Sequence, residues 1–207
     1  GNYYGAAPSP LTVFDNMIRL YFDSPEKPGE PVSLVRTEPA TPGIVWQNEV
    51  KSSSVNRDLA YVFGSPWGEK RVITGTIPAG RKNFVVKASM PDPPLLFGHY
   101  LKQKLESAGI VIRGEVKIGS EQVHGQLLSV IQSPPLSEIL RILNHESVNL
   151  FADHLVFQIA LEKTGNGSLE SGLELIQRFW KENGVRDTFF MDDGSGLSRF
   201  NAISAEQ

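Results

Sequence analysis

The chain has 207 residues, enough for one large domain or two small ones with a real core. Its hydrophobic share of 40%, charged share of 21% and net charge of −3 are ordinary for a globular chain and give no electrostatic ground for a nucleic-acid or anionic-membrane partner. The lack of cysteine excludes disulfides, thiolate catalysis and Cys-based zinc sites, and no apolar run approaches the roughly 20 residues of a membrane-spanning helix.

The opening residues, Gly1 to Ala7, have neither a basic region nor a long apolar run, so they do not read as a signal peptide. The closing Ile203-Ser204-Ala205-Glu206-Gln207 has no obvious stop, and the whole reads as a piece excised from something longer. Leu11 to Phe22 suits a short helix or a strand pair, and Ser24 to Glu30, with Pro25, Pro28 and Gly29, is a turn by composition. Strands are expected at Val32–Arg36, Ile44–Gln47, Ala60–Phe63, Arg71–Ile77 and Phe84–Ala88, separated by Pro/Gly punctuation.

From Pro94 the period changes. Phe97, Tyr100, Leu101, Leu105 and Ala108 fall on one helical face, with Gly109 at the C-cap, and Ile110-Val111-Ile112 reads as a buried strand after it. A helical series follows. Ser133-Pro134-Pro135 supplies a cap and early-helix prolines for a helix bearing Leu136, Ile139, Leu140 and Leu143. A second, strongly amphipathic helix runs from about Ser147 to Lys163 and ends at Gly165. A third starts near Ser168, buries Leu169, Leu173, Ile176 and Trp180, and stops at Gly184. The expected class is therefore α+β, a multi-domain α/β mix: a β-rich first half, a helix-rich second half and a boundary near His124-Gly125.

Three short motifs occur in the order used by one class of active-site serine enzymes: Ser24-Pro25-Glu26-Lys27, Ser54-Val55-Asn56 and Lys163-Thr164-Gly165. The first needs one turn of helix to bring the lysine amine to the serine hydroxyl, and Pro28 and Gly29 break that turn. The third works from an edge strand, whereas here it closes a helix, with Gly165 as C-cap and Lys163 well placed against the helix dipole. Ser54-Val55-Asn56 sits in a polar stretch and reads as a turn.

A second Ser-x-Asn, Ser147-Val148-Asn149, sits between two helices. Both side chains could project from that junction into a site, or Ser147 could be an N-cap with Asn149 in the first turn. His145 and His154, nine positions apart, lie on opposite helix faces, Glu146 and Asp153 do not complete a helical metal motif, and His99 and His124 are isolated. No metal site is expected. Gly194-Ser195-Gly196, after Asp192-Asp193, lacks both the nucleophile-elbow and the P-loop context and reads as a tight loop whose backbone approaches a ligand or a neighbouring strand.

Six collinear segments carry a wider resemblance: Gly1-Asn2-Tyr3-Tyr4-Gly5-Ala6, Gly75 to Gly80, Ser89-Met90-Pro91-Asp92-Pro93, Ser133 to Leu140, Asn144 to Asp153, and Asp193-Gly194-Ser195-Gly196-Leu197-Ser198-Arg199-Phe200-Asn201. In these the chain resembles the low-molecular-mass class C penicillin-binding proteins, D-alanyl-D-alanine carboxypeptidases/endopeptidases. The resemblance implies part of a β-lactamase/transpeptidase-like domain, mostly its helical region (125–207), plus a large inserted region (1–124). Within the insert, a β-rich subdomain of about 23–72 would nest in a helix-containing one, 1–22 and 73–124.

It further implies Ser147 and Asn149 as catalytic, the first as proton relay and the second holding the substrate carbonyl and the catalytic lysine. Tyr4 and Leu197 would wall the substrate pocket. Val148 departs from the aspartate common at the middle position of the motif. The implied partners are peptidoglycan stem peptides and, for the full-length protein, β-lactams, with no metal or organic cofactor and with export to the bacterial envelope. The nucleophilic Ser-x-x-Lys is expected before Gly1 and the true Lys-Thr-Gly after Gln207, which would leave this piece unable to acylate. A second reading is a non-catalytic envelope binding or scaffolding protein of the same fold.

Overall fold

Ile18, Leu20 and Phe22 alternate along one strand and are each fully buried, the signature of a sheet with one face on a core. In the computed structural model, which describes residues 6, 8–119, 126–185 and 189–204, this strand is β1 (Met17–Asp23), entered through a single 3-10 turn at Phe14–Asn16. Of the two expectations for 11–22, the strand holds for its second half. β1 pairs antiparallel with β2 (Ser33–Glu38) on one side and with β7 (Phe84–Ser89) on the other.

A second sheet is built on β6 (Lys70–Pro78). β5 (Leu59–Phe63) runs antiparallel along one of its edges. Along the other run β3 (Val45–Asn48) and then β4 (Lys51–Ser53), both parallel to β6. The break between them is held by Asn48, whose amide donates to the Val32 carbonyl (2.6 Å) and whose oxygen accepts from the Val50 N–H (3.1 Å). Gly75 in β6 takes φ +102, and a Cβ there would lie 2.1 Å from the Leu59 carbonyl oxygen, so only glycine lets β5 pair this closely.

One apolar cluster joins the two sheets: Ile18, Leu20 and Phe22 meet Val62, Ile73, Ile77, Val86 and Ala88, together with Leu96. Leu96 belongs to α1 (Pro93–Ser107), whose N-cap is Asp92, its carboxylate accepting from the Leu95 N–H at 3.2 Å. The cluster takes residues from both sides of the expected 72/73 division, and β6 itself crosses it.

The expected strand at Ile110-Val111-Ile112 does not form. These β-branched residues favour extended backbone, yet a strand also needs a ladder partner, and Ile110 and Val111 stand 50% and 79% exposed. The helix–strand unit expected there is therefore a helix followed by irregular chain.

The chain divides into two compact units, Gly1–Val123 and His124–Gln207. In the second, the stretch 126–135 has no regular structure, and Leu127, Leu128, Val130 and Ile131 are 76%, 91%, 66% and 96% exposed. α2 (Leu136–Glu146) follows. Its N-cap is Pro135 with no side-chain cap bond, so Ser133 does not cap it, and none of its residues is buried.

α3 (Asn149–Thr164) packs on α4 (Leu169–Glu182) through Val156 and Gly172. The first two turns of α3 are covered or half-covered on every side, rather than showing the single apolar face expected of them. Gly165, φ +73, caps α3, and the Thr164 hydroxyl donates back to the Ala160 carbonyl at 2.8 Å, so Lys163-Thr164-Gly165 is a helix terminus. Ser168 caps α4 by accepting from the Ser171 N–H, and Leu173 is buried. Trp180 is not: it stands 45% exposed, edge-to-face with Phe179.

Candidate active site

The junction of α2 and α3 is two residues long, Ser147 and Val148, and its backbone decides against one of the two sequence readings. Ser147 ends α2 in the left-handed conformation, φ 53 and ψ 53, with its N–H donated to the Leu143 carbonyl. That position normally takes glycine, because a Cβ there costs about 1–2 kcal/mol. The N-cap of α3 is Val148, with no side-chain cap bond. Ser147 is thus not an N-cap, and the capping alternative fails on geometry. Its side chain is exposed, and among the described residues no hydrogen bond employs its hydroxyl. Asn149, half-buried, is the first residue of α3.

Against the same helix lies the loop between β8 (Phe189–Phe190) and β9 (Ala202–Ile203), which pair antiparallel and bring its ends together. One carboxylate organises it. Asp193 accepts from the Gly196 N–H, the Ser198 N–H and the Asn201 side-chain amide, each at 2.7 Å. The Asn201 oxygen accepts from the Asp192 N–H at 2.7 Å, and the Ser198 hydroxyl donates to Asp192 at 2.6 Å. Burial pushes the Asp193 carboxyl up, but the bonds from Asn201, Gly196, Ser198 and Ser195 together outweigh it and hold it below its ordinary value.

A second carboxylate ties the loop to α3. Asp153 Oδ1 accepts from the Gly194 N–H at 3.0 Å, and the Ser195 N–H also faces this carboxylate. Desolvation raises the Asp153 carboxyl above its ordinary value, the Gly194 bond opposes this, and the nearby Asp193 charge adds to it. The approach is close: a Cβ on Gly194 would lie 2.5 Å from Val156 Cγ2 and 2.8 Å from the Ala152 carbonyl oxygen. The loop is therefore tight, as its sequence indicates, and the neighbour its backbone approaches is a helix rather than a strand. Leu197 stands 51% exposed on its outer side. Tyr4 lies outside the described residues.

The rival motifs are occupied by structure. Ser24 is buried, its hydroxyl donating to the Pro78 carbonyl (2.6 Å) and accepting from the Arg81 N–H (2.9 Å). Lys27 points to solvent, 3.9 Å from Glu30. Asn56 accepts from Arg81 at 2.9 Å, and the Val55 N–H donates to Ser53, as in a turn. His154 Nδ1 lies 2.8 Å from the carbonyl of Leu150 in its own helix. Among the described residues no cluster of three or more His, Asp or Glu could hold a metal.

Two residues of this arrangement escaped sequence reading. Asp153 sits one helical turn beyond Asn149, a spacing that could have singled it out. Asn201 lies eight positions after Asp193 and carries no local signal at all.

The fold is one shared with penicillin-binding proteins. More narrowly, the chain belongs to the D-Ala-D-Ala carboxypeptidase 3 (S13) family, whose model matches residues 1–207. It is 30% identical, over 98% of its own length, to a D-alanyl-D-alanine carboxypeptidase of Actinomadura sp. (strain R39). It is 23% identical, over 97% of its length, to the D-alanyl-D-alanine carboxypeptidase DacB of Haemophilus influenzae.

It spans 39% and 42% of those two relatives, less than half of either. Among solved structures it shares the fold of penicillin binding protein 4 from Haemophilus influenzae. The TM-score is 0.78 at 20% identity, covering 99% of this chain and 46% of that one. A second structure of that protein, complexed with a novel β-lactam, matches at a TM-score of 0.78 and 21% identity, covering 97% of this chain and 46% of that one.

Proposed function

We propose that this chain is the middle of a longer serine-type D-alanyl-D-alanine carboxypeptidase/endopeptidase that acts on peptidoglycan stem peptides in the bacterial cell envelope. The observation that carries the reading is Ser147: an exposed hydroxyl that caps neither helix, on the left-handed backbone that ends α2, beside Asn149. A serine at a left-handed helix end that glycine would fill more cheaply, with its hydroxyl unemployed by the fold, is the mark of a side chain kept for chemistry.

In this reading residues 1–124 are most of an insertion between the first and second catalytic motifs, with a nested part at about 23–72, and 125–207 return to the catalytic domain. The nucleophilic serine and its lysine precede the insertion, and the Lys-Thr-Gly strand follows residue 207. The serine oxygen bonds to the penultimate D-alanine carbonyl carbon, and the peptide C–N bond breaks. The departing amine takes its proton through the Ser147 hydroxyl. Water then hydrolyses the acyl-serine ester. The Asn149 amide holds the substrate carbonyl and the lysine in line. Tyr4 and Leu197 wall the pocket for the stem-peptide side chain. A β-lactam enters the same route, its ring amide in place of the peptide bond.

Fluorescent penicillin tests the reading. The full-length gene product is expected to carry a covalent, denaturation-resistant label and the 207-residue chain none. Labelling of the short chain at Ser24 overturns the assignment, and an unlabelled full-length protein favours the scaffolding reading.

A further inference from the structure

Asn149, Ala152, Asp153 and Val156 lie at i, i+3, i+4 and i+7, one stripe along α3. The lower three of these residues are where the 193–198 loop docks: Gly194 lies against Ala152 and Val156, and Asp153 takes the Gly194 and Ser195 donors. Asn149 heads the stripe. The loop is internally folded around Asp193, and the side chain that hydrogen-bonds it to the helix is Asp153. Leu197 sits between the two N–H groups that Asp193 binds, those of Gly196 and Ser198.

We infer that Asp153 is a positioning residue for the substrate pocket: by gripping Gly194 and Ser195 it sets the distance of the Leu197 wall from the Ser147–Asn149 motif. The inference rests on the functional reading above. Asp153 touches neither substrate nor reacting atoms; it acts through the loop. A half-buried carboxylate with a second acid nearby is an unfavourable choice for packing alone, and the loop N–H groups it faces, Gly194 first, account for its presence.

The test uses the full-length protein with Asp153→Ala, Asp153→Asn and, should the alanine variant not fold, Gly194→Ala, whose Cβ pushes the same loop off the helix. Loop release is read by trypsin cleavage after Arg199, which is exposed within the loop. Pocket geometry is read by kcat and KM on a stem peptide that bears the long side chain preceding D-Ala-D-Ala and on a D-Ala-D-Ala peptide that lacks that side chain.

The expected result is faster cleavage after Arg199 and a KM for the side-chain-bearing peptide raised about tenfold or more. kcat should be nearly unchanged, the short peptide little affected, and Asp153→Asn intermediate. Unchanged cleavage after Arg199 overturns the tether. Equal loss of kcat and kcat/KM on both peptides overturns the positioning role in favour of one in the chemistry. Faster cleavage with unchanged kinetics makes Asp153 structural only. If the wild-type protein neither labels with penicillin nor turns over peptide, the functional reading is what fails, and the pocket role falls with it. The trypsin result still decides the tether.

Discussion

The two units differ most in how much of themselves they bury. Unit 1 closes two sheets and a helix over a twelve-residue cluster. Among the described residues of unit 2, only Leu150, Val156, Ala160 and Leu173 are buried hydrophobics, and α2 buries nothing. Yet the candidate site lies in the other unit. The Asp153–Gly194 and Asp193–Asn201 networks, the left-handed serine and the exposed Leu197 are all in unit 2. Stability is concentrated in one unit and prospective chemistry in the other, and the contrast can be broken experimentally.

The largest expected effect is on stability. Phe22→Ala removes a fully buried ring and should destabilise unit 1 by about 3–5 kcal/mol, whereas Leu136→Ala, at a site 57% exposed, should stay within about 0.5 kcal/mol in the same urea titration of this chain. Comparable losses at both positions would mean that α2 is packed as tightly as β1. Next comes Ser147→Ala in the full-length protein, expected to lower peptidase kcat by about 10²- to 10⁴-fold with folding intact. Unchanged turnover would remove Ser147 from the proton path.

Ser24→Ala is expected to cost unit 1 about 1–3 kcal/mol, since it strips a buried hydroxyl from between Pro78 and Arg81, with penicillin labelling of the full-length protein unaltered. Ser147→Gly sharpens the comparison from the other side. Relief of the left-handed strain should raise stability by roughly 0.5–1 kcal/mol while turnover is lost.

The smallest effect is pH-dependent. Asp193 titrates below its ordinary value of 3.8, so its network stabilises the fold above that pH and is lost as pH falls through the depressed value. Asp153 titrates above 3.8, so its contribution is complete below that pH and is lost as pH rises through the raised value. The stability gap between wild type and Asp193→Asn should therefore shrink on acidification, measured by thermal unfolding from neutral pH to below 3.8, whereas Asp153→Asn should not show that narrowing.

Legibility in the sequence followed locality. Five strands of unit 1 could be placed because β-branched runs alternate with Pro and Gly, but β4 could not. Lys51-Ser52-Ser53 has no strand character of its own and is a strand only because Thr76 to Pro78 of β6 lies beside it. The same dependence, reversed, explains Ile110 to Ile112, which have the character and lack the partner.

At the candidate site the Ser-x-Asn tripeptide stood out because its flanking helices separated it from its twin at Ser54. The left-handed φ of Ser147 had no sequence signal, since nothing local distinguishes it from a capping serine. The Asp153–Gly194 bond joins residues 41 apart and is a product of tertiary docking alone.

The extended stretch that follows unit 1 has a consequence for how the protein is made. Gln126 to Gln132 contains no proline, glycine or charge, and four of its seven residues are exposed β-branched or leucine side chains. That composition is the pattern of segments that stack into cross-β aggregates. On a ribosome it emerges after the core of unit 1 and before any helix of unit 2, so it spends that interval uncovered. A charge placed at Leu128 would make the nascent chain easier to keep in solution, and until the stretch is covered its apolar side chains are where two unfinished copies would join.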